Sequence, residues 1–321
     1  MLINLLTIVV GLAVLVWSAD LFIDGAAALA SRLGLSPLLI GMTIVSVGTS
    51  APEILVSIMS AATGSGSLAI GNAFGSNIAN VGLVLGITVL IAPIAVGRTT
   101  AFTDMPILLV IIGLCWLLLQ DNVLSVIDAA ILTGGLVLYL VRMVRHSAVP
   151  DNSDLDVHVA TMALGKASFS FAIGLGLLIL SSRALVYGAV NVATALGVPE
   201  LIIGLTIVAL GTSLPELAAS LVSAMKGHAD IAIGAVVGSN IFNLLIVLAI
   251  PGFFEDVAVT TSDLLRDLGT VALGTTLLTL FIWTSWRRDT GTASLGLAAG
   301  CTFLAIYVLY YVWLTLGTTA L

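Results

Sequence analysis

Ten stretches of this chain are each apolar over roughly the length needed to cross a bilayer as a helix, and nothing else in the sequence restricts the fold as much. They lie near residues 2–30, 36–62, 68–92, 104–120, 122–143, 164–194, 199–225, 230–251, 264–285 and 291–317. Of the 321 residues, 60% are apolar and 8% charged, whereas soluble domains carry about a quarter charged residues. Lipid is therefore the solvent for most of the chain, and no soluble domain is expected. The first stretch has neither a basic residue ahead of it nor a small-residue cleavage pattern behind it, so it reads as a spanning helix and not as a removed signal peptide.

Basic residues in short loops set the orientation. Arg32, Arg98, Arg142, Arg145, Lys166, Lys226, Arg287 and Arg288 follow the odd-numbered stretches; Arg266 alone lies on the other side, and Arg183 falls within the sixth stretch. Both termini are expected on the periplasmic or extracellular face of the cell membrane. The linker 146–163 is then cytoplasmic, and its Asp151, Asp154 and Asp156 read as a solvated polar connection. Cys115 and Cys301 sit in apolar runs without a partner at metal-ligand spacing. His146, His158 and His228 form no HExxH arrangement. No resident cofactor, nucleic acid or obligate protein partner is indicated.

The chain repeats itself. Gly48-Thr49-Ser50-Ala51-Pro52-Glu53 returns in the second half as Gly211-Thr212-Ser213-Leu214-Pro215-Glu216, and Gly75-Ser76-Asn77-Ile78 returns at the same offset as Gly238-Ser239-Asn240-Ile241. Without a gap, 17 of the 33 residue pairs between 48–80 and 211–243 are identical. Five stretches per copy is an odd number, so the second copy enters the membrane from the opposite side. The expected fold is an all-α polytopic membrane protein of ten transmembrane helices in two inverted five-helix repeats, 1–145 and 164–321, joined by the linker. Inverted repeats with broken helices are a transporter pattern with the site near the midplane.

Glu53 and Glu216 lie in mid-helix, where an ionisable side chain costs at least a few kcal/mol. No Lys or Arg stands at the same depth in the second, third, seventh or eighth stretch, which leaves a bound cation as the compensating charge. Pro52 and Pro215 cannot donate to the carbonyl four residues back, so each breaks its helix and frees backbone oxygens. Ser50, Ser57 and Ser60 share the face of Glu53, and Ser213, Ser220 and Ser223 that of Glu216. Asn72, Ser76 and Asn80 form a second polar face, repeated by Ser239 and Asn243 with Ala235 in place of the first asparagine. Such residues also serve as interhelical hydrogen-bond glue; beside two glutamates they read as a cavity wall. Carboxylate, amide, hydroxyl and carbonyl oxygens without Cys or His suit hard ions such as Ca²⁺ and Na⁺. Asp20 and Arg183 are separated by the same offset that carries Glu53 onto Glu216, and a charge pair between the first and sixth helices is expected from that symmetry.

At the duplicated GTSxPE and GSNI segments the chain resembles bacterial and archaeal sodium/calcium exchangers of the cation/calcium antiporter superfamily. The resemblance implies a core of helices two, three, seven and eight, across which helices one and six slide to alternate access. It implies ligation of transported Ca²⁺ and Na⁺ by Thr49, Ser50, Glu53, Ser76 and Asn80, with Thr212, Ser213, Glu216, Ser239 and Asn243, completed by the backbone oxygens of Ser46 and Ala209. It implies a transporter, not an enzyme. Related exchangers often have an aspartate where this chain has Asn80 or Asn243, so the site holds two carboxylates where three are possible. A proton-coupled or potassium-dependent exchanger and, in a different class, a passive cation channel are the alternatives.

Overall fold

The structure is a computed structural model that describes residues 1–146, 162–197 and 209–318. The three acidic residues of the expected linker, His158 and the start of the seventh stretch lie outside the described residues. In a bilayer the backbone must satisfy its own hydrogen bonds, and helices account for nearly all of the apolar sequence. They are α1 Leu2–Leu33, α2 Pro37–Thr49, α3 Ala51–Ala62, α4 Gly66–Ile91 and α5 Thr100–Asp121. After these come α6 Val126–His146, α7 Leu164–Ala195, α8 Ala209–Thr212, α9 Leu214–Met225, α10 Ala229–Gly252, α11 Thr261–Thr284 and α12 Leu297–Thr318. Among the described residues eight helices are long and apolar enough to span, and α2 with α3, bent by 43° to each other, makes a ninth when the pair is counted as one span. Of the seventh stretch, the described part is α8 and α9.

Burial sorts these helices into layers. The apolar window of α10 is 94% buried and that of α4 72%, against 22% in α1 and 28% in α7. α4 and α10 thus form the centre, while α1 and α7 turn Leu, Val and Ile side chains outward to lipid. At 32 residues each, α1 and α7 are about 48 Å long, longer than the roughly 30 Å hydrocarbon layer, so they must tilt or project. They pack antiparallel on small residues. Gly11 meets Leu185, Gly174 meets Phe22, Gly25 meets Phe171, and Gly188 meets Asn4 and Ile8. Every one of these contacts has its repeat equivalent in the set, since Gly11 matches Gly174 and Gly25 matches Gly188.

Two stretches that look like helix starts are strands. β1 Ile94–Val96 pairs antiparallel with β4 Ala293–Leu295, and β2 Val123–Leu124 with β3 Val257–Ala258. Residues 122–125 and 291–296 were expected to begin the fifth and tenth helices; their apolar side chains pack in these ladders instead. The pairing is an exchange between the two halves. Ile94 faces Leu295 as Val257 faces Leu124. Ile94 and Val257 are repeat equivalents, whereas the offset that relates them would carry Leu124 onto Arg287, short of Leu295. The difference is taken up after α11 by the loop that carries the Arg287–Thr292 bridge and Gly291 at φ 66°.

The expected Asp20–Arg183 pair is absent. Asp20 and Asp24, one turn apart on α1, both reach Lys226 Nζ at 2.6 Å, just beyond α9, and Arg183 is exposed. The antiparallel register explains the miss. It sets Asp20 opposite Gly176 and Arg183 opposite Ala13, which separates the two charges by about seven residues of rise, or about 10 Å. Sharing a depth across a two-fold axis is not contact unless both side chains lie beside the axis.

A methyl group at Gly174 would stand 2.5 Å from the backbone nitrogen of Phe22, whereas one at Gly176 meets nothing within 4 Å. We therefore expect Gly174→Ala to force α1 and α7 apart and to destabilise the detergent-solubilised protein by about 1–3 kcal/mol, with Gly176→Ala near neutral. Thermal unfolding of both variants checks this; equal stabilities would remove close helix packing as the reason for the glycine.

Candidate ion-binding site

The site begins with a broken helix that occurs twice. Ser50 leaves helical geometry at φ −82°, ψ 4°, and Ser213 does so at φ −92°, ψ 4°. Pro52 and Pro215 follow in the first turns of α3 and α9, where a missing N–H costs nothing. Each break leaves a new helix N-terminus inside the protein, and Glu53 and Glu216 occupy those first turns, where the unpaired N–H groups favour a negative side chain. Only 1% of Glu53 and 2% of Glu216 is exposed.

Among the described residues neither carboxylate has a basic partner. The ion pairs among the described residues are those of Lys226 and Arg266, and none involves either glutamate. Glu53 and Glu216 are close enough to interact with each other electrostatically, and the Ser76 hydroxyl faces Glu53. Contacts cross between the halves. Ser50 Oγ donates to Glu216 Oε1 at 3.2 Å, and Thr49 also faces that carboxylate. Asn80 Nδ2 donates to Asn240 Oδ1 at 3.1 Å. Ser46 Oγ donates to the carbonyls of Gly41 at 2.6 Å and Ala235 at 3.1 Å.

The other expected ligands lie on α10 and at the second helix break. Ser213, Ser239 and Asn243 are buried, Thr212 is half-buried, and the backbone of Ala209 opens α8 one turn ahead of Ser213. The Ser46 carbonyl accepts from Ser50 N–H at 2.9 Å and from Thr49 Oγ1 at 3.4 Å. Much acceptor capacity is unspent. Glu53 Oε2, Glu216 Oε2, Asn80 Oδ1, Ser213 Oγ, Ser239 Oγ and both polar atoms of Asn243 are buried without a hydrogen-bond partner among the described residues. Buried polar groups are ordinarily paired, and these are oxygen-rich atoms around two carboxylates. Carboxylate, amide and hydroxyl oxygens are the donor types present here, a set that fits a hard cation better than a transition metal.

Some residues behave differently from their reading in sequence. Ser57, expected to line the cavity, donates to the Val247 carbonyl at 2.7 Å and ties α3 to α10. Asn72 donates to the backbone oxygen of Glu53 at 3.1 Å and so steadies the broken helix. α4 and α10 widen into π-helix at Asn80–Leu85 and Asn243–Val247, a distortion frequent at functional sites that no periodicity reveals. Asn240, visible in sequence only as part of the repeated GSNI segment, accepts from the expected ligand Asn80.

Broken helices bearing buried carboxylates belong to ion-coupled membrane transporters. Within that class the chain is a member of the sodium/calcium exchanger protein family, whose model matches residues 3–145 and 166–316. It is 44% identical to a putative antiporter CaxA of Alkalimonas amylolytica over 85% of this chain and 89% of that protein. It is 31% identical to the sodium/calcium exchanger MaX1 of Methanosarcina acetivorans over 89% of this chain and 93% of that one. Among solved structures it resembles the sodium-calcium exchanger NCX_Mj with a TM-score of 0.82 and 28% identity, covering 96% of this chain and 97% of the other. The chain is thus a multi-span cation/calcium antiporter, of a family of exchangers and not of enzymes.

The two serines that precede the broken-helix prolines differ in what they lose on truncation. Ser50→Ala removes a hydrogen bond to a buried carboxylate and should cost about 1.5–3 kcal/mol, while Ser213→Ala deletes a hydroxyl that has no partner among the described residues and should be near neutral. Unfolding in EDTA and choline, without sodium or calcium, measures both; a reversed order would mean that Ser50 does not support Glu216.

Proposed function

We propose that this chain exchanges Ca²⁺ for Na⁺ across the cell membrane by alternating access, with the ions bound near the midplane by Glu53, Glu216 and the surrounding oxygens. The observation that carries the reading is the pair of buried glutamates facing each other with no basic residue at hand. Two ionised carboxylates supply −2, which one Ca²⁺ or two Na⁺ neutralise, and competition for one pool of charge is the physical basis of exchange. The strand exchange between the halves, the two equivalent helix breaks and the antiparallel α1/α7 pair support ten spans in two inverted repeats. In this reading α1 and α7 move over a core of α2–α4 and α8–α10, both termini are periplasmic, and the ligands are Thr49, Ser50, Glu53, Ser76 and Asn80 with Thr212, Ser213, Glu216, Ser239 and Asn243. The carbonyls of Ser46 and Ala209 complete the set.

The test is calcium-45 uptake into proteoliposomes of the purified chain under separately imposed sodium, potassium and proton gradients. Uptake is expected when sodium is inside and to vanish when choline replaces it. Uptake driven by a proton gradient alone, or a requirement for potassium, would reassign the driving ion, and flux indifferent to every counter-ion gradient would indicate a channel. Glu53→Gln and Glu216→Gln should each lower uptake to the level of empty liposomes, because each removes half the charge available to a divalent ion. Near-normal uptake by either folded variant would sink the site.

Protons compete with calcium for the same two carboxylates. Sodium-driven uptake should therefore fall as pH is lowered and recover in part when calcium is raised at fixed pH. Inhibition that excess calcium leaves untouched would place the titrating group elsewhere.

A further inference from the structure

Four asparagines occupy equivalent positions on the two central helices, α4 and α10. Asn77 and Asn80 come from one half, and Asn240 and Asn243 are their repeat equivalents in the other; all four are buried. A side-chain amide has a donating end and an accepting end, so its value as a cation ligand depends on which way it is turned. Asn80 spends its nitrogen on Asn240 Oδ1 at 3.1 Å, and its own Oδ1 remains buried and unpartnered. With the opposite turn, Asn80 would meet a cation with N–H groups and repel it.

The equivalent bond on the other side would run from Asn243 Nδ2 to Asn77 Oδ1. Both atoms are buried and without a hydrogen-bond partner among the described residues, as is Asn243 Oδ1. Asn77 is already fixed, because its nitrogen donates to the Ala73 carbonyl of its own helix at 2.8 Å, which leaves its oxygen as an acceptor. One of two matching bridges is made and the other is open.

We propose that Asn240 and Asn77 are positioning residues, which hold the amides of Asn80 and Asn243 with their oxygens toward the transported cation. The Asn240 bridge is in place in this structure, and the Asn77 bridge closes when Asn243 takes up its ion. The inference rests on the reading of Glu53 and Glu216 as the ion site. A carboxylate offers oxygen whichever way it turns, so the need for positioning arises because both positions carry an amide.

The experiment measures the calcium dependence of sodium-driven uptake by the full chain in proteoliposomes. Asn240→Ala should raise half-saturating calcium about tenfold or more, the usual cost of losing a residue that orients a ligand, with little change in maximal rate. In an Asn80→Asp background the same Asn240→Ala change should have no further effect. Asn77→Ala and Asn243→Asp should show the same dependence. Should Asn240→Ala fail to fold, Asn240→Asp keeps the acceptor and should retain wild-type half-saturation, while the similarly sized Asn240→Leu should not. Equal losses in the Asn80 and Asp backgrounds, with Glu53→Gln inactive, would overturn the positioning role alone. Wild-type uptake unaffected by Glu53→Gln would overturn the ion site and the positioning role with it.

Discussion

Two carboxylates without a cation among their side-chain neighbours are the constraint around which the rest of this structure is arranged. An ionised group deep in a membrane protein must find a compensating charge, and here Lys226 and Arg266 are engaged elsewhere, with aspartates. What the protein supplies instead is partial charge. The breaks at Ser50 and Ser213 turn helix N-termini toward Glu53 and Glu216, and the Ser50 hydroxyl adds a hydrogen bond across the halves. These dipoles temper the negative charge and leave room for an ion to complete the balance. Full neutralisation by an arginine would give a more stable protein with nothing left to bind.

Close helix packing follows from the same need. Gly41 of α2 lies against the Ile231 carbonyl of α10, and Gly234 of α10 lies against the Leu38 carbonyl of α2. Only residues without a side chain allow the broken helix to approach α10 so nearly, and that approach brings Ser46 within reach of the Ala235 carbonyl. In lipid, where apolar surface gains nothing by leaving one apolar medium for another, such small-residue contacts are a main source of helix association. α1 and α7 use the same means at the lipid boundary, but their interface is made mostly with each other. A peripheral pair joined chiefly to itself can shift as a unit at less cost than one interlocked with the core.

Hydropathy made most of the spans legible, and the repeated polar residues marked out the candidate site, because glutamate, proline and asparagine are rare enough in apolar helices to stand out. What sequence could not supply was direction. The Asp20–Arg183 expectation failed since a repeat offset gives equivalence, not proximity; the antiparallel register had to be seen. Residues 122–125 and 291–296 read as helix because an apolar run does not declare its backbone, and their strand partners lie in the other half. The π-helical widening at Asn80 and Asn243 leaves no trace in composition.

A transporter of two inverted copies that obeyed its symmetry fully would present the same face to both sides of the membrane, so its asymmetry is where its state is written. Two kinds of asymmetry need to be separated. Ser46 against Ala209, Asn72 against Ala235 and Lys226 against Thr63 are differences of sequence, present in every conformation. Ser50 against Ser213 and the Asn80–Asn240 bridge against the open Asn243–Asn77 pair are differences between identical residues. Chemistry alone cannot account for the second kind; only conformation can. The made contacts all turn on residues of the first half acting as donors, Ser50 toward Glu216 and Asn80 toward Asn240. Under alternating access the opposite state would exchange these roles, with Ser213 turning to Glu53 and Asn243 to Asn77. Among the fixed differences, Lys226 holds Asp20 and Asp24 of α1, whereas its repeat equivalent, Thr63, carries no charge to do so.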